Sequence, residues 1–351
     1  MPTSVPAPRE LRRIAVEAAA ACAPRLARAF RSTPAALDLA TKRNSHDLVT
    51  VHDGATEDEL VRLLGAAVPG SRFVGEEGGS RGPDGSGDGS GAGSGDKTGP
   101  ERVDEHALTP AEADAAAPAH TLEWIIDPID GTANFAHGFA MFSISVAAAV
   151  DGVVVAGVVL DPVNGLEFSA DDDGAYLNGE RFGHAGARTD APADGARAGA
   201  SEATVEATAE QALNLVTSYP SAEALAIDGP AALDRFGRLV DTYATVRRTV
   251  SGALELAYTA IGWADVTLGV DTNPWDVGVG QLLVRRAGGH YLARFYDTDG
   301  PERREPHLAP CYVAIAPGRT APTAVRIVEE TVTARRAAGQ HRATTGPQPV
   351  R

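Results

Sequence analysis

The sequence predicts an α+β fold, with an antiparallel sheet in the first half of the chain and an α/β subdomain in the second. Four short apolar runs from residue 122 onward are punctuated by Asp151-Gly152 and Asn164-Gly165, pairs that favour tight hairpins. From about Ala203 helical and strand-like segments alternate instead, as in an α/β unit. The chain has 351 residues, more than one hydrophobic core usually organises, so two packed subdomains are expected. We place them at 1–200 and 201–332, with 333–351 as a frayed tail.

The elements follow in order. Residues 10–40 are Ala-rich, with Leu11, Ile14, Ala18, Leu26 and Phe30 at helical spacing and a break near Pro24, which predicts one or two helices. Leu48, Val49, Thr50 and Val51 read as extended, and 56–67 returns to a helical period through Leu60, Leu63 and Leu64. A short apolar strand at 72–74 runs into Gly75-Glu76-Glu77-Gly78. Residues 80–119 then turn to Gly, Ser, Asp, Glu, Pro and Ala, with too little apolar surface to offset ordering, so a flexible acidic insertion is expected. Gly95-Asp96-Lys97-Thr98 breaks the Gly-Lys-Thr order of a phosphate-binding loop. Strands are predicted at 122–126, 142–150, 153–160 and 165–170, and further segments at 252–262, 264–268 and 275–287.

Composition narrows the function. The formal charge is −16, from 31 basic and 47 acidic residues, which repels a nucleic-acid backbone. No apolar run is long enough to span a bilayer. The segment after Arg9, Arg12 and Arg13 lacks an apolar signal core, so a cytoplasmic protein is expected. Cys22 and Cys311 alone make neither a disulfide framework nor a structural zinc site.

The most informative run is Trp124-Ile125-Ile126-Asp127-Pro128-Ile129-Asp130-Gly131-Thr132-Ala133-Asn134-Phe135. An apolar strand ends in two carboxylates, and Gly131-Thr132 can open a helix whose free amides point outward. Most Asp-Pro and Asp-Gly pairs are turn residues. Here, however, acids of similar setting recur at Glu76-Glu77 and at Asn273-Pro274-Trp275-Asp276, which opens another helix. Carboxylates hold hard cations such as magnesium, and helix-start amides hold phosphate. An acidic chain acting on an anionic phosphate needs such cations in between.

Gly75-Glu76-Glu77, the run 127–132, and Pro274-Trp275-Asp276 followed by Ala287-Gly288-Gly289 resemble the three signature motifs of the inositol monophosphatase family, in the family's order. The similarity covers about 47–289, and Asp47-Leu48-Val49-Thr50 with Asp53 fits the family's N-terminal segment. The resemblance implies a layered αβαβα sandwich, a homodimer, and two or three magnesium ions held by Glu76, Asp127, the Ile129 carbonyl, Asp130 and Asp276. It implies that Asp130, Gly131, Thr132 and Asp276 meet the substrate, while Thr132 with Asp53 or Glu76 orients and deprotonates the attacking water. The implied activity is hydrolysis of a small phosphate monoester, inositol 1-phosphate first.

Other residues near the motifs read as supporting. Glu77 is solvated or an indirect metal contact, His52 and His137 are structural, and Asn134 and Phe135 shape the helix start. Trp275 packs to fix Asp276, and Arg247 and Arg248 are surface cations. One departure bears on substrate: where the family carries an acid contacting ring hydroxyls, this chain has Gly269, with Asp271 two residues later as a substitute or a turn residue. Alternatives are therefore the same chemistry on a sugar phosphate, histidinol phosphate or 3′-phosphoadenosine 5′-phosphate, or a non-catalytic protein that binds a phosphorylated ligand.

Overall fold

The computed structural model describes residues 5–31, 40–41, 48–82, 120–183, 209–297 and 305–339. The expected insertion beyond Gly82 and Asp47 of the N-terminal segment lie outside these residues.

Helix α1 (Pro8–Ala29) buries Leu11, Ile14, Ala18, Cys22 and Leu26 along one face. It runs through Pro24 as a single helix, because the buried stripe continues on both sides and outweighs the backbone bond that proline removes. A short antiparallel pair, β1 (Ala40–Thr41) and β2 (Leu48–Val49), precedes α2 (Val51–Ala67). The extended reading of Thr50 and Val51 yields to a capping box: Thr50 N donates to Asp53 Oδ2 at 2.7 Å, and the Thr50 hydroxyl oxygen accepts from His52 N. Both bonds satisfy amides that a helix start otherwise leaves open.

The larger sheet is built from β3 (Arg72–Gly75), β4 (Gly79–Arg81), β5 (Leu122–Asp130), β6 (Ser143–Val150), β7 (Val153–Asp161), β8 (Leu166–Ala170), β9 (Ala175–Leu177) and β10 (Glu180–Phe182), with the short helix α3 (Thr132–Ala136) after β5. Its order is β10-β9-β8-β7-β6-β5-β3-β4, antiparallel throughout except where β3 runs parallel to β5. At Asp151-Gly152 both residues take positive φ, which matches the twist a two-residue hairpin needs.

The second half alternates β11 (Asn214–Thr217), α4 (Ala222–Asp228), α5 (Pro230–Thr242), β12 (Thr245–Arg248), α6 (Gly252–Ile261), β13 (Val266–Val270), α7 (Pro274–Arg286), β14 (His290–Arg294), β15 (Cys311–Ile315) and α8 (Pro322–Ala337). The sheet order is β12-β11-β13-β15-β14, with β12, β11 and β13 parallel. Helix α8 continues to Ala337 and buries Val332 and Arg335, so the chain is still helical beyond Thr333.

Side-chain alternation assembles the layers. Trp124 and Ile126 of β5 pack with Leu11 and Leu60 from α1 and α2, whereas Ile125 packs on the opposite face with Leu256, Val279 and Leu283 from α6 and α7. The same two helices meet Tyr291, Tyr312 and Ala314 of the smaller sheet. Its outer face is covered by Leu239, Ile327 and Val328 from α5 and α8. The order is helices, sheet, helices, sheet, helices: the αβαβα sandwich. Cys22 and Cys311 are both buried and free.

Candidate active site

Residues three apart on a regular strand face opposite sides of a sheet. Asp127 pairs with Ser145 and Asp130 with Ser143, so the register slips between them, and this bulge turns both carboxylates to one side. Pro128, which has no N–H to donate, sits within the bulge, where a strand tolerates it. Asp127 Oδ1 accepts from Ile129 N at 3.0 Å. Gly131 follows with φ 89°, and a Cβ there would lie 2.9 Å from the Met141 carbonyl oxygen, so the turn admits only glycine without strain. Asp276 arrives from the start of α7, where its Oδ2 accepts from Asn273 N at 2.7 Å. One oxygen from each of Asp127, Asp130 and Asp276 lies within 4.8 Å of the other two. Glu76, on the turn leaving β3, adds a fourth carboxyl whose charge bears on Asp127.

Burial and crowding of like charges favour the protonated carboxyls. Burial, then the charges of Glu76, Asp130 and Asp276, push the Asp127 carboxyl well above its ordinary range. Asp130 and Asp276 are each pushed up to about 7, with burial the first cause. Hydrogen bonds hold Asp130 back in part: its carboxylate accepts from the Ser251 hydroxyl, from Gly252 N at 3.0 Å, from Ala253 N at 3.1 Å and from Ser143 Oγ at 3.3 Å. The described hydrogen-bond partners of the three aspartates include no Arg or Lys. At neutral pH the cluster must either keep protons or take up a cation. Its donors are all hard oxygens, the set magnesium and calcium prefer, with none of the His or Cys ligands that zinc favours.

Thr132, the first residue of α3, brings Asp53 to the cluster. Its hydroxyl lies 3.0 Å from Asp53 Oδ1 and 2.9 Å from the Ile129 carbonyl oxygen. Asp53 is fully buried, and burial raises its pKa against the hydrogen bonds from Thr50 and Thr132. A hydroxyl has one proton, which goes to one of these acceptors and leaves an oxygen lone pair free to accept from a neighbour. Helix α3 spans five residues, so its dipole is that of little more than one turn.

Several supporting residues have no distinctive local signal. Glu57 is buried on α2 and accepts from Glu77 N at 2.9 Å and Gly78 N at 2.7 Å, which fixes the turn carrying Glu76. Its carboxylate lies so close that a Cβ on Gly75 would meet it at 2.4 Å. The start of α6, Ser251 to Ala253, grips Asp130. The Asn134 amide ties α3 to the Met141 and Thr249 carbonyl oxygens at 2.7 Å each. The Ser251-Gly252 helix start is visible in the sequence, but its aim at Asp130, 121 residues away, is not.

Trp275 is buried and its carbonyl oxygen accepts from Ser145 Oγ, which anchors the start of α7 to β6. His52 packs edge-on against Phe135, and His137 bonds the Ala133 carbonyl oxygen. Arg247 bonds Thr245 and Arg248 the Ser218 carbonyl oxygen, both at exposed positions. Asp271 cannot substitute for a substrate-facing acid, because its carboxylate is held by Arg335 and by the Tyr296 hydroxyl. Beside Gly269 the room for a side chain is taken by Tyr312, whose ring lies 2.3 Å from where a Cβ would stand.

Three carboxylates that could hold a cation meet at the carboxyl end of β5 in a layered αβαβα sandwich. A model of the inositol monophosphatase family matches residues 7–333, and the chain belongs to that family. It is 31% identical over 249 residues to the Nus factor SuhB of Pseudomonas aeruginosa, covering 71% of this chain and 73% of that protein. The extragenic suppressor protein SuhB of Bartonella henselae superposes with a TM-score of 0.64 at 22% identity, covering 92% of this chain and 98% of that one. The inositol monophosphatase of Thermotoga maritima does so with 0.60 at 23%, covering 93% and 98%. Among the described residues no helix is long and apolar enough to cross a membrane.

Proposed function

We propose that the protein is a magnesium-dependent phosphatase that hydrolyses small phosphate monoesters by attack of water. The observation that carries this reading is the meeting of two groups: three aspartate oxygens within 4.8 Å and, from the same β5–α3 turn, a threonine hydroxyl 3.0 Å from a buried aspartate. The first group binds a cation. The second has no part in binding one, and fits the handling of a water proton.

In this reading Glu76, Asp127, the Ile129 carbonyl, Asp130 and Asp276 hold two or three magnesium ions. Bound there, magnesium would neutralise phosphate charge and acidify water. Thr132 donates to Asp53, which leaves its oxygen free to accept from the attacking water and so orient it. Asp53 or Glu76 takes the proton, and burial raises the affinity of Asp53 for it. Asp130, Gly131, Thr132 and Asp276 line the phosphate's place. A phosphate-binding protein without turnover would have little use for the Thr132–Asp53 pair.

Inositol 1-phosphate is the first candidate substrate by family. Gly269 and Asp271 both withhold a carboxylate from the leaving group, and a site without that partner discriminates weakly among alcohols. We therefore propose broad acceptance of sugar and inositol monoesters. The relatives' name, Nus factor, is theirs; for this chain the charge of −16 supports a small-molecule substrate and no nucleic acid. A homodimer in the cytoplasm completes the reading. The test is phosphate release from inositol 1-phosphate, fructose 1,6-bisphosphate, histidinol phosphate and 3′-phosphoadenosine 5′-phosphate, with magnesium and with chelator. Magnesium-dependent release from several monoesters is expected; release that survives chelation, or none at all, rejects the proposal.

A further inference from the structure

A second buried group of charges stands at the carboxyl end of β13. Arg335 of α8 is 1% exposed. Its Nε and Nη2 reach the two oxygens of Asp228 at 2.8 and 3.1 Å, and Nη1 reaches both oxygens of Asp271 at 2.6 and 2.5 Å. The Tyr296 hydroxyl lies 2.8 Å from the same nitrogen and donates to Asp271 Oδ1 at 2.7 Å. Cys311 Sγ approaches that hydroxyl at 3.2 Å. So deep a cation persists only because its carboxylates surround it.

The two carboxylates are not equivalent. Asp228 has a second guanidinium, that of Arg235, at 3.2 Å. The cation of Asp271 is Arg335, with the Tyr296 hydroxyl beside it. Asp271 also shapes the chain: its φ is 60°, a left-handed turn that Asp and Asn tolerate better than other side chains. The next residue, Thr272, donates its N–H to the Pro310 carbonyl oxygen at 3.0 Å, and then Asn273 caps α7 and binds Asp276. The turn anchored by Arg335 is thus the one that delivers Asp276 to the acid cluster. Arg335 itself lies two residues beyond the stretch matched by the family.

We propose that Arg335 is a positioning residue for the metal site: by clamping Asp271 it fixes the turn that presents Asp276. The proposal rests on the metal reading given above. It assigns the last helix a part in cation affinity without contact between that helix and the cation.

The experiment is a magnesium titration by calorimetry on the full chain, comparing the unaltered protein with Asp271→Asn and Asp228→Asn. Asparagine keeps the left-handed turn, removes the charge and leaves one acceptor oxygen in place of two. Asp271→Asn is expected to weaken magnesium binding about tenfold, in the range found for residues that orient metal ligands, while Asp228→Asn leaves it unchanged. Because Asp271→Asn also unbalances a buried pair, the double variant Asp271→Asn with Arg335→Met is included, which removes both charges. Its melting temperature should recover while its magnesium binding stays weak. Equal weakening in the two single variants, or affinity that returns with melting temperature in the double, overturns the positioning role. Magnesium binding undiminished in Asp271→Asn overturns this inference alone; no binding by the unaltered chain removes the metal reading first.

Discussion

Asp171, Asp172 and Asp173 crowd their carboxylates as closely as Asp127, Asp130 and Asp276 do, one oxygen of each within 4.8 Å of the others. The surroundings differ. Asp171 is buried against the Arg12 guanidinium at 2.7 Å and accepts from Asp173 N and Gly174 N, and Asp172 and Asp173 stand in water. That trio carries its own cation and needs no other. In the β5–α7 trio two acids are buried, a fourth carboxyl presses on Asp127, and the partners are hydroxyls, amides and an asparagine. Proximity of acids is common to both; among the described residues, only the second has no Arg or Lys bonded to its carboxylates. That lack marks a candidate metal site.

The contrast can be broken most sharply by removing one charge from each trio. Asp127→Asn should lower kcat/KM by more than about 100-fold and weaken magnesium binding with it, since removing a ligand exceeds the loss from disturbing its outer partner. Asp171→Asn should leave both quantities alone and cost roughly 2 kcal/mol of stability, the cost of stranding a partly exposed guanidinium. Steady-state assays and thermal melts read the pair; the reverse pattern would exchange the two assignments. Next in size, Thr132→Ala should reduce kcat by about 100-fold, because the water loses the hydroxyl that orients it toward its proton acceptor, with magnesium affinity unchanged. Equal losses of kcat and metal affinity would make Thr132 a metal-site residue instead.

What was legible in the sequence had its partners close by. The run from Asp127 to Thr132 places two acids and a helix start within six residues, and Pro274-Trp275-Asp276 does the same for α7. The hairpins at Asp151-Gly152 and Asn164-Gly165 announce themselves by turn chemistry. The rest depended on distance. Glu57 reaches the amides of Glu77 and Gly78 across a helix and a strand, and Asp271 meets Arg335 64 residues away. Where two local rules competed, the sequence misled: β-branched Val49, Thr50 and Val51 suggest a strand, yet Thr50 with Asp53 caps a helix. Pro24 suggests a break, yet the buried face of α1 carries through it. Gly269 reads as a lost acid, but the structure shows the phenol of Tyr312 filling the space.

A smaller effect sharpens the same contrast through pH. Asp130 and Asp276 hold their protons up to about 7 in the folded protein, against 3.8 ordinarily. The folded state then binds more protons than the unfolded one between those values, so without metal these groups lower stability as pH rises from about 4 to 7. Magnesium must displace the protons. Its affinity should therefore increase by about tenfold per pH unit for each proton displaced, and level off only once Asp127, also raised by burial and its acidic neighbours, has ionised too. Titrations at pH 6, 7 and 8 test this, with Asp171→Asn following the unaltered curve. A magnesium affinity flat across the window would mean the trio is already ionised.

The smallest effect concerns a third set of acids, Asp84, Asp88, Asp96, Glu101, Asp104, Glu105, Glu112 and Asp114. A cut at Ser80 would remove part of β4, and with it Arg81, which bonds Glu57 at 3.2 Å and so supports the Glu76 turn. The deletion should span 83–119 instead, bridged by a short Gly/Ser linker. Closure entropy varies only with the logarithm of loop length, so stability should change by no more than about 1 kcal/mol. Magnesium affinity should not change, because the clustered acids Asp127, Asp130 and Asp276 all lie outside the deleted stretch. A weaker magnesium affinity after the deletion would bring some of these carboxylates into the site.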